Sequence, residues 1–156
     1  MISPEILRRH PFFGTLSDEQ IKAMAMIAEE VRFGNGAVVC EEGRPADAFY
    51  LLVDGGMSIY YITEDKFHPQ FRKEFLVGEI NPGEVLAISA FIEPYIYTAT
   101  VRADKDSQVL KFDSNALNKM IEKDPRLNCI LMRKIAKAVM ERLTFVRVQL
   151  APAWAK

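Results

Sequence analysis

Residues Pro82–Ala103 read PGEVLAISAFIEPYIYTATVRA, and the reading of this stretch decides the fold. Pro82-Gly83 is turn chemistry. Leu86–Ile92 is too short and too apolar for a surface helix, and Tyr97–Val101 carries the β-branched and aromatic residues of a strand. The stretch predicts a strand entry, a short helix, a tight turn and a returning strand. A short helix whose N-terminus faces a closed pocket offers free backbone N–H groups and a positive dipole end, which suits a phosphate.

Working outward, the flanking residues alternate. Val31, Phe33, Ala37 and Val39 argue for short strands broken at Gly34-Asn35-Gly36. Tyr50–Val53 forms a strand that ends at Asp54-Gly55-Gly56, where the glycines supply the positive φ of a tight hairpin, and Met57–Ile62 alternates behind it. Thr63–Glu74 is polar and reads as an exposed hairpin tip carrying Phe67 and Phe71. Phe75, Val77 and Ile80 lead back into the central stretch, and Gln108–Phe112 makes a last strand that returns beside the first. Eight or so short strands at regular spacing give a jelly-roll-like β-roll, an α+β chain that is mainly β.

The order of these features resembles that of the cyclic-nucleotide-binding domain family, which includes the catabolite activator proteins and the regulatory subunits of cyclic-AMP-dependent protein kinase. The resemblance rests on the Glu42-Gly43 turn, the Tyr50 strand, the Asp54-Gly55-Gly56 hairpin and the Ala99-Thr100-Val101 return, and it covers about residues 6–145. The family's phosphate-binding pattern is roughly F-G-E-L-A-L, about four variable residues, then P-R-A-A-T-V. Counting back without a gap from Ala99-Thr100-Val101 puts Ala87 on the family's Gly, Ile88 on its Glu, Ala90 on its Ala and Tyr97 on its Arg. Using Gly83-Glu84 instead would break the frame at both ends. In the family the Arg pairs with the cyclic phosphate and the Glu accepts from the ribose hydroxyl, and neither Ile88 nor Tyr97 can do that. The resemblance therefore implies the fold, with a cyclic nucleotide as ligand only if other contacts replace these two. The candidate ligand-binding residues are Ala87, Ile88, Ser89, Ala90, Tyr97, Thr98 and Thr100: backbone N–H groups near Ser89 and Ala90, three hydroxyls, and a Tyr97 ring that can donate one hydrogen bond or stack.

Helices flank the roll. Ser17 with Gln20 forms a capping box ahead of Ile21, Met24, Ala25 and Ala28, and the segment before it resembles the family's N-terminal helices. Ser114–Lys123 reads as a helix with Leu117, Met120 and Ile121 on one face. Asp124 as N-cap and Pro125 as first residue then start a long helix running to about Leu150. Leu127, Leu131, Ile135, Val139, Val146 and Leu150 form one stripe, with Cys129, Met132, Ala136, Met140 and Leu143 beside it. A helix apolar over more than half its circumference needs covering on two sides, either by the roll and a second copy or by the same chain folding back. A homodimer through residues 125–150 is the expectation, and the family's equivalent helix also closes over the ligand. The chain thus divides into N-terminal helices (1–30), the β-roll (31–113, with the cassette-like segment at 82–103) and C-terminal helices (114–156), in one domain.

At 156 residues, 49% hydrophobic and 26% charged, the chain is long enough to bury a core. A net charge of −1 leaves no electrostatic footprint for nucleic acid or an anionic membrane surface. No apolar run is long enough to cross a membrane and no signal peptide is evident, so a cytoplasmic location is expected. Only Ala155 and Lys156 follow Trp154 in this sequence, so the winged helix-turn-helix of the family's transcription factors is not expected and any output is expected to pass to a separate effector protein. Trp154 is read as packing on the last helix. Cys40 and Cys129 are both read as small buried hydrophobes. The two histidines, His10 and His68, have no partners at ligand spacing, so no metal or cofactor site is expected. Glu41 and Glu42 are adjacent in a strand, point to opposite faces and cannot flank one bond. No nucleophile elbow, phosphate-cradling Walker loop or Cys-His pair is present, so an enzyme is not expected.

Two readings remain. One is a stand-alone regulatory sensor that binds a cyclic nucleotide or another small ligand and signals through its C-terminal helix. The other is a degenerate domain whose pocket is filled by Ile88, Phe91, Ile92, Tyr95 and Tyr97, retained as a dimerisation or protein-docking scaffold.

Overall fold

The computed structural model describes residues 1–155. Eight strands pair antiparallel in two four-stranded sheets. In chain order they are β1 (Ala28–Phe33), β2 (Val38–Cys40), β3 (Ala48–Asp54), β4 (Met57–Thr63), β5 (Lys73–Ile80), β6 (Val85–Leu86), β7 (Thr100–Ala103) and β8 (Ser107–Asp113). The sheets run β1-β8-β3-β6 and β2-β7-β4-β5. The last strand does return beside the first, with Ala28 opposite Phe112. This is the anticipated jelly-roll-like roll with flanking helices.

The core lies between the sheets and beneath the helices. Ala48–Leu52 of β3 is buried on both faces because one side meets the opposite sheet and the other meets the helical cover. An aromatic cluster sits there, with the Phe49 ring edge-on to Phe91 at 4.8 Å and tilted against Phe112 at 5.7 Å. The β3–β4 hairpin turns on Gly55 at φ +107, where an added Cβ would meet Ser107 Oγ at 2.2 Å. The β4–β5 tip is exposed as anticipated, with Phe67 and Phe71 facing solvent.

The helices are α1 (Pro4–Arg8), α2 (Asp18–Met26), α3 (Ser114–Lys123) and α4 (Pro125–Trp154). The helical prelude ends at Met26 and β1 begins at Ala28, so residue 30 falls inside the first strand. The Ser17–Gln20 capping box forms in both directions. The Gln20 amide also donates to Asp124 Oδ2 at 2.9 Å, and Asp124 Oδ1 accepts from the Arg126 and Leu127 N–H groups at 3.0 Å each. One carboxylate therefore caps α4 and fastens it to α2.

Two sequence expectations on α4 need correction, and one alternative is closed. Cys129 is exposed, because Leu127, Leu131 and Ile135 form the buried stripe and Cys129 stands about 200° around the helix from Leu127. Trp154 is 84% exposed instead of packed, since the helix continues past Leu150 through Pro152 and carries it roughly 28 Å beyond Ile135. The chain does not fold back over the helix, and Val139, Met140, Leu143, Val148 and Leu150 are left in solvent.

Candidate functional site

The predicted helix at Leu86–Ile92 and strand at Tyr97–Val101 resolve differently. Strand β6 pairs Val85 with Leu51 and Leu86 with Tyr50. Ala87 then takes a left-handed backbone (φ 61, ψ 38) and turns the chain into a single 3-10 segment, Ile88–Phe91. Ala87 stands where the aligned pattern has Gly, the residue that adopts this conformation without strain. Four residues cannot nucleate an α-helix and settle into the tighter turn. Phe91 anchors the segment in the aromatic cluster, while the Ala90 carbonyl accepts from Asn118 Nδ2 of α3 at 3.0 Å.

That anchoring removes part of the expected phosphate cradle. The Ala90 N–H donates to the Ala87 carbonyl at 3.0 Å, so it is not available to a ligand, and Ala90 itself is fully buried. Tyr97 precedes β7 and points inward. Its hydroxyl donates to Asp47 Oδ1 at 2.8 Å, lies 3.1 Å from the Ala48 carbonyl and accepts from the Ala48 N–H at 3.2 Å. Burial pushes the Tyr97 hydroxyl up, helped by neighbouring Cys40 and Asp47, and the same burial raises the Cys40 thiol to about 12. Thr100 is buried too, its Oγ1 accepting from the Glu42 N–H at 3.1 Å. Of the seven candidates, then, Ala90, Tyr97 and Thr100 serve the interior.

Ile88, Ser89 and Thr98 instead come together in a groove of about 630 Å³ between the 88–98 segment and α4. Ile88, Ile92, Pro94 and Ile96 make one wall. Met132, Ile135, Ala136, Val139 and Met140 of α4 make the other. Polar groups are few: Ser89 Oγ and Thr98 Oγ1, 3.4 Å apart, and Glu93. Among the described residues no Lys, Arg or His lines it. The resemblance implies that α4 closes over the ligand, but the sequence does not mark these α4 side chains as site residues, because they share the apolar stripe read as a dimer face. Nor does any local motif mark Asp47.

On its other side α4 meets a second cleft of about 400 Å³, bounded by Phe12, the turn from β5 to β6 and Phe145. Arg142 projects there and donates to the Val85 carbonyl. Burial lowers the guanidinium from its ordinary value, with Glu84 and Glu141 opposing the shift. Val85 lies two residues before the Ala87 turn, so α4 is bonded to the strand that feeds the candidate segment.

A two-sheet β-roll with a short turn held under a long terminal helix is the architecture of a regulatory sensor-type fold. The family model described as cyclic nucleotide-binding domain matches residues 30–124, and the chain belongs to that family. A solved Geobacter metallireducens protein assigned to the cyclic nucleotide-binding class is 37% identical with a TM-score of 0.79, covering 92% of this chain and 99% of its own. The sensor domain of the transcriptional regulator DNR from Pseudomonas aeruginosa is 27% identical with a TM-score of 0.69, and 90% of each chain is covered. A CRP-like cAMP-activated global transcriptional regulator of Mycobacterium tuberculosis is 24% identical over 133 residues, which span 85% of this chain and 57% of the regulator. The chain thus spans little more than half the length of that curated relative.

Proposed function

We propose that this domain is a regulatory sensor whose ligand lies in the groove between the 88–98 segment and α4, and whose response is a change in α4. The observation that carries the reading is the shared lining: one occupant touches the anchored turn and the terminal helix together. A ligand shifts an equilibrium only by its differential affinity for two states, and a site built half from each element gives it that difference. The names of the relatives, a cAMP-activated regulator and a sensor domain, support a regulatory rather than a catalytic role. Output through α4 to a second copy or a separate effector completes the proposal.

Thermal unfolding against cyclic AMP, cyclic GMP, cyclic dinucleotides and a metabolite panel tests it. A ligand at 100 times its dissociation constant adds about 2.7 kcal/mol, which raises the midpoint of a domain this size by roughly 5–10 °C. Slower hydrogen exchange along residues 132–150 is expected with the same compound. No shift with any compound would leave the docking-scaffold reading standing instead, in which the exposed α4 stripe is the functional surface.

A further inference from the structure

We infer that the groove is built for an uncharged, largely apolar small molecule carrying one hydrogen-bonding group, and not for a nucleotide phosphate. This rests on the sensor reading and narrows its ligand class. The volume lies in the range of small-molecule sites, which are mostly apolar with a few placed polar groups.

Electrostatics excludes the anion. Bringing a phosphate against this lining removes its hydration, and no cation of the groove replaces it. Glu93 adds a carboxylate to the lining. The position aligned with the family's Arg offers no help, because the Tyr97 hydroxyl is committed to Asp47 and to buried Ala48. The Ala90 N–H is likewise committed to the Ala87 carbonyl. Beyond the Ser89 N–H, a neutral donor, Ser89 Oγ and Thr98 Oγ1 are the polar side-chain feature of the groove apart from Glu93. At 3.4 Å their mutual bond is long and neither residue is fully buried, so an oxygen or nitrogen of a ligand can sit over the pair and hydrogen-bond to both hydroxyls. The opposite wall supplies two methionines, Met132 and Met140, side chains that adapt to varied apolar shapes.

The test uses a matched pair of fluorescent probes, N-phenyl-1-naphthylamine and its sulfonated analogue 8-anilino-1-naphthalenesulfonate, titrated into the intact protein. The expected result is saturable binding of the uncharged probe, with the sulfonate at least about tenfold weaker. Ala136→Trp, which places a large ring into the groove from an exposed helix position, is expected to abolish binding with the circular dichroism spectrum unchanged. Glu93→Lys is expected to narrow the gap between the probes. Equal affinity for the sulfonate, or displacement of the uncharged probe by cyclic AMP, overturns the ligand class and leaves the sensor reading intact. Absence of saturable binding together with a flat thermal panel overturns both. Failure of probe binding combined with a change of sedimenting mass in Ala136→Trp overturns the inference by making the groove the seat of a second copy.

Discussion

Tyr97 illustrates how one side chain can be turned from a pocket position to the interior of a familiar scaffold. Where the aligned pattern carries an arginine, this chain places a phenol whose oxygen has three hydrogen-bonding neighbours, the buried Ala48 N–H and carbonyl and the carboxylate of exposed Asp47. Removing that oxygen leaves the Ala48 N–H and the Asp47 carboxylate without it. Tyr97→Phe is therefore expected to lower stability by about 1–3 kcal/mol, read as a shift of the urea midpoint without a change in slope. The two cysteines give a second check at this scale. Cys40 is buried with its thiol raised to about 12, whereas Cys129 is exposed on α4. A disulfide-exchange reagent near pH 8 is expected to label one thiol per chain quickly and the second only on unfolding. Equal rates would contradict the placement of Cys40. The sequence did not reveal this difference, because both cysteines sit in apolar stretches and only the phase of α4 against the roll separates them.

At the scale of elements, the start of α4 is held by a carboxylate with three donors. The Gln20 amide, followed by the Leu127 N–H, keeps the Asp124 carboxyl below its usual range. The unfolded chain therefore takes up this proton first as pH falls. Stability from this group is full above the ordinary carboxylate range, about pH 4, and is lost as pH drops through the lower folded value. Asp124→Asn is expected to flatten that acid limb of the urea midpoint. An unchanged limb would show that the cap does not titrate as drawn. This cap was legible in sequence, as Asp-Pro before an apolar period, and so were the Ser17–Gln20 box and the Asp54-Gly55 hairpin, because each is written in neighbouring residues. The Gln20–Asp124 bond was not legible, since it joins positions 104 residues apart. The groove was half legible: Ile88, Ser89 and Thr98 stood in a recognisable frame, while its α4 wall depended on where a long helix crosses the roll. The inward aim of Tyr97 was hidden because its partner Asp47 lies in no motif.

The whole molecule leaves an apolar strip uncovered along the outer half of α4, with Leu143, Val148 and Leu150 each about half exposed or more. We expect the protein to sediment as a homodimer through this strip, and the double substitution Leu143→Glu with Val148→Glu to yield monomers of unchanged helical content. A wild-type monomer at micromolar concentration would refute the assignment. Solubility of the single chain is a separate matter, since Phe67, Phe71, Phe75 and Tyr61 also face solvent around the β4–β5 tip.

The arrangement of the sheets bears on that. Their outer strands are β1 and β6 in one sheet and β2 and β5 in the other. Strands β2 and β6 are three and two residues long, too short to template another chain. Strand β1 carries Glu29, Glu30 and Arg32, and β5 opens on Lys73-Glu74, bends where its register with β4 shifts at Ile59–Tyr60, and presents Glu79 before it ends. A stranger's strand would find charge or curvature on every available rim. A molecule with this much bare aromatic surface can therefore meet its partners side chain to side chain, while backbone-to-backbone addition of strands is disfavoured at these rims.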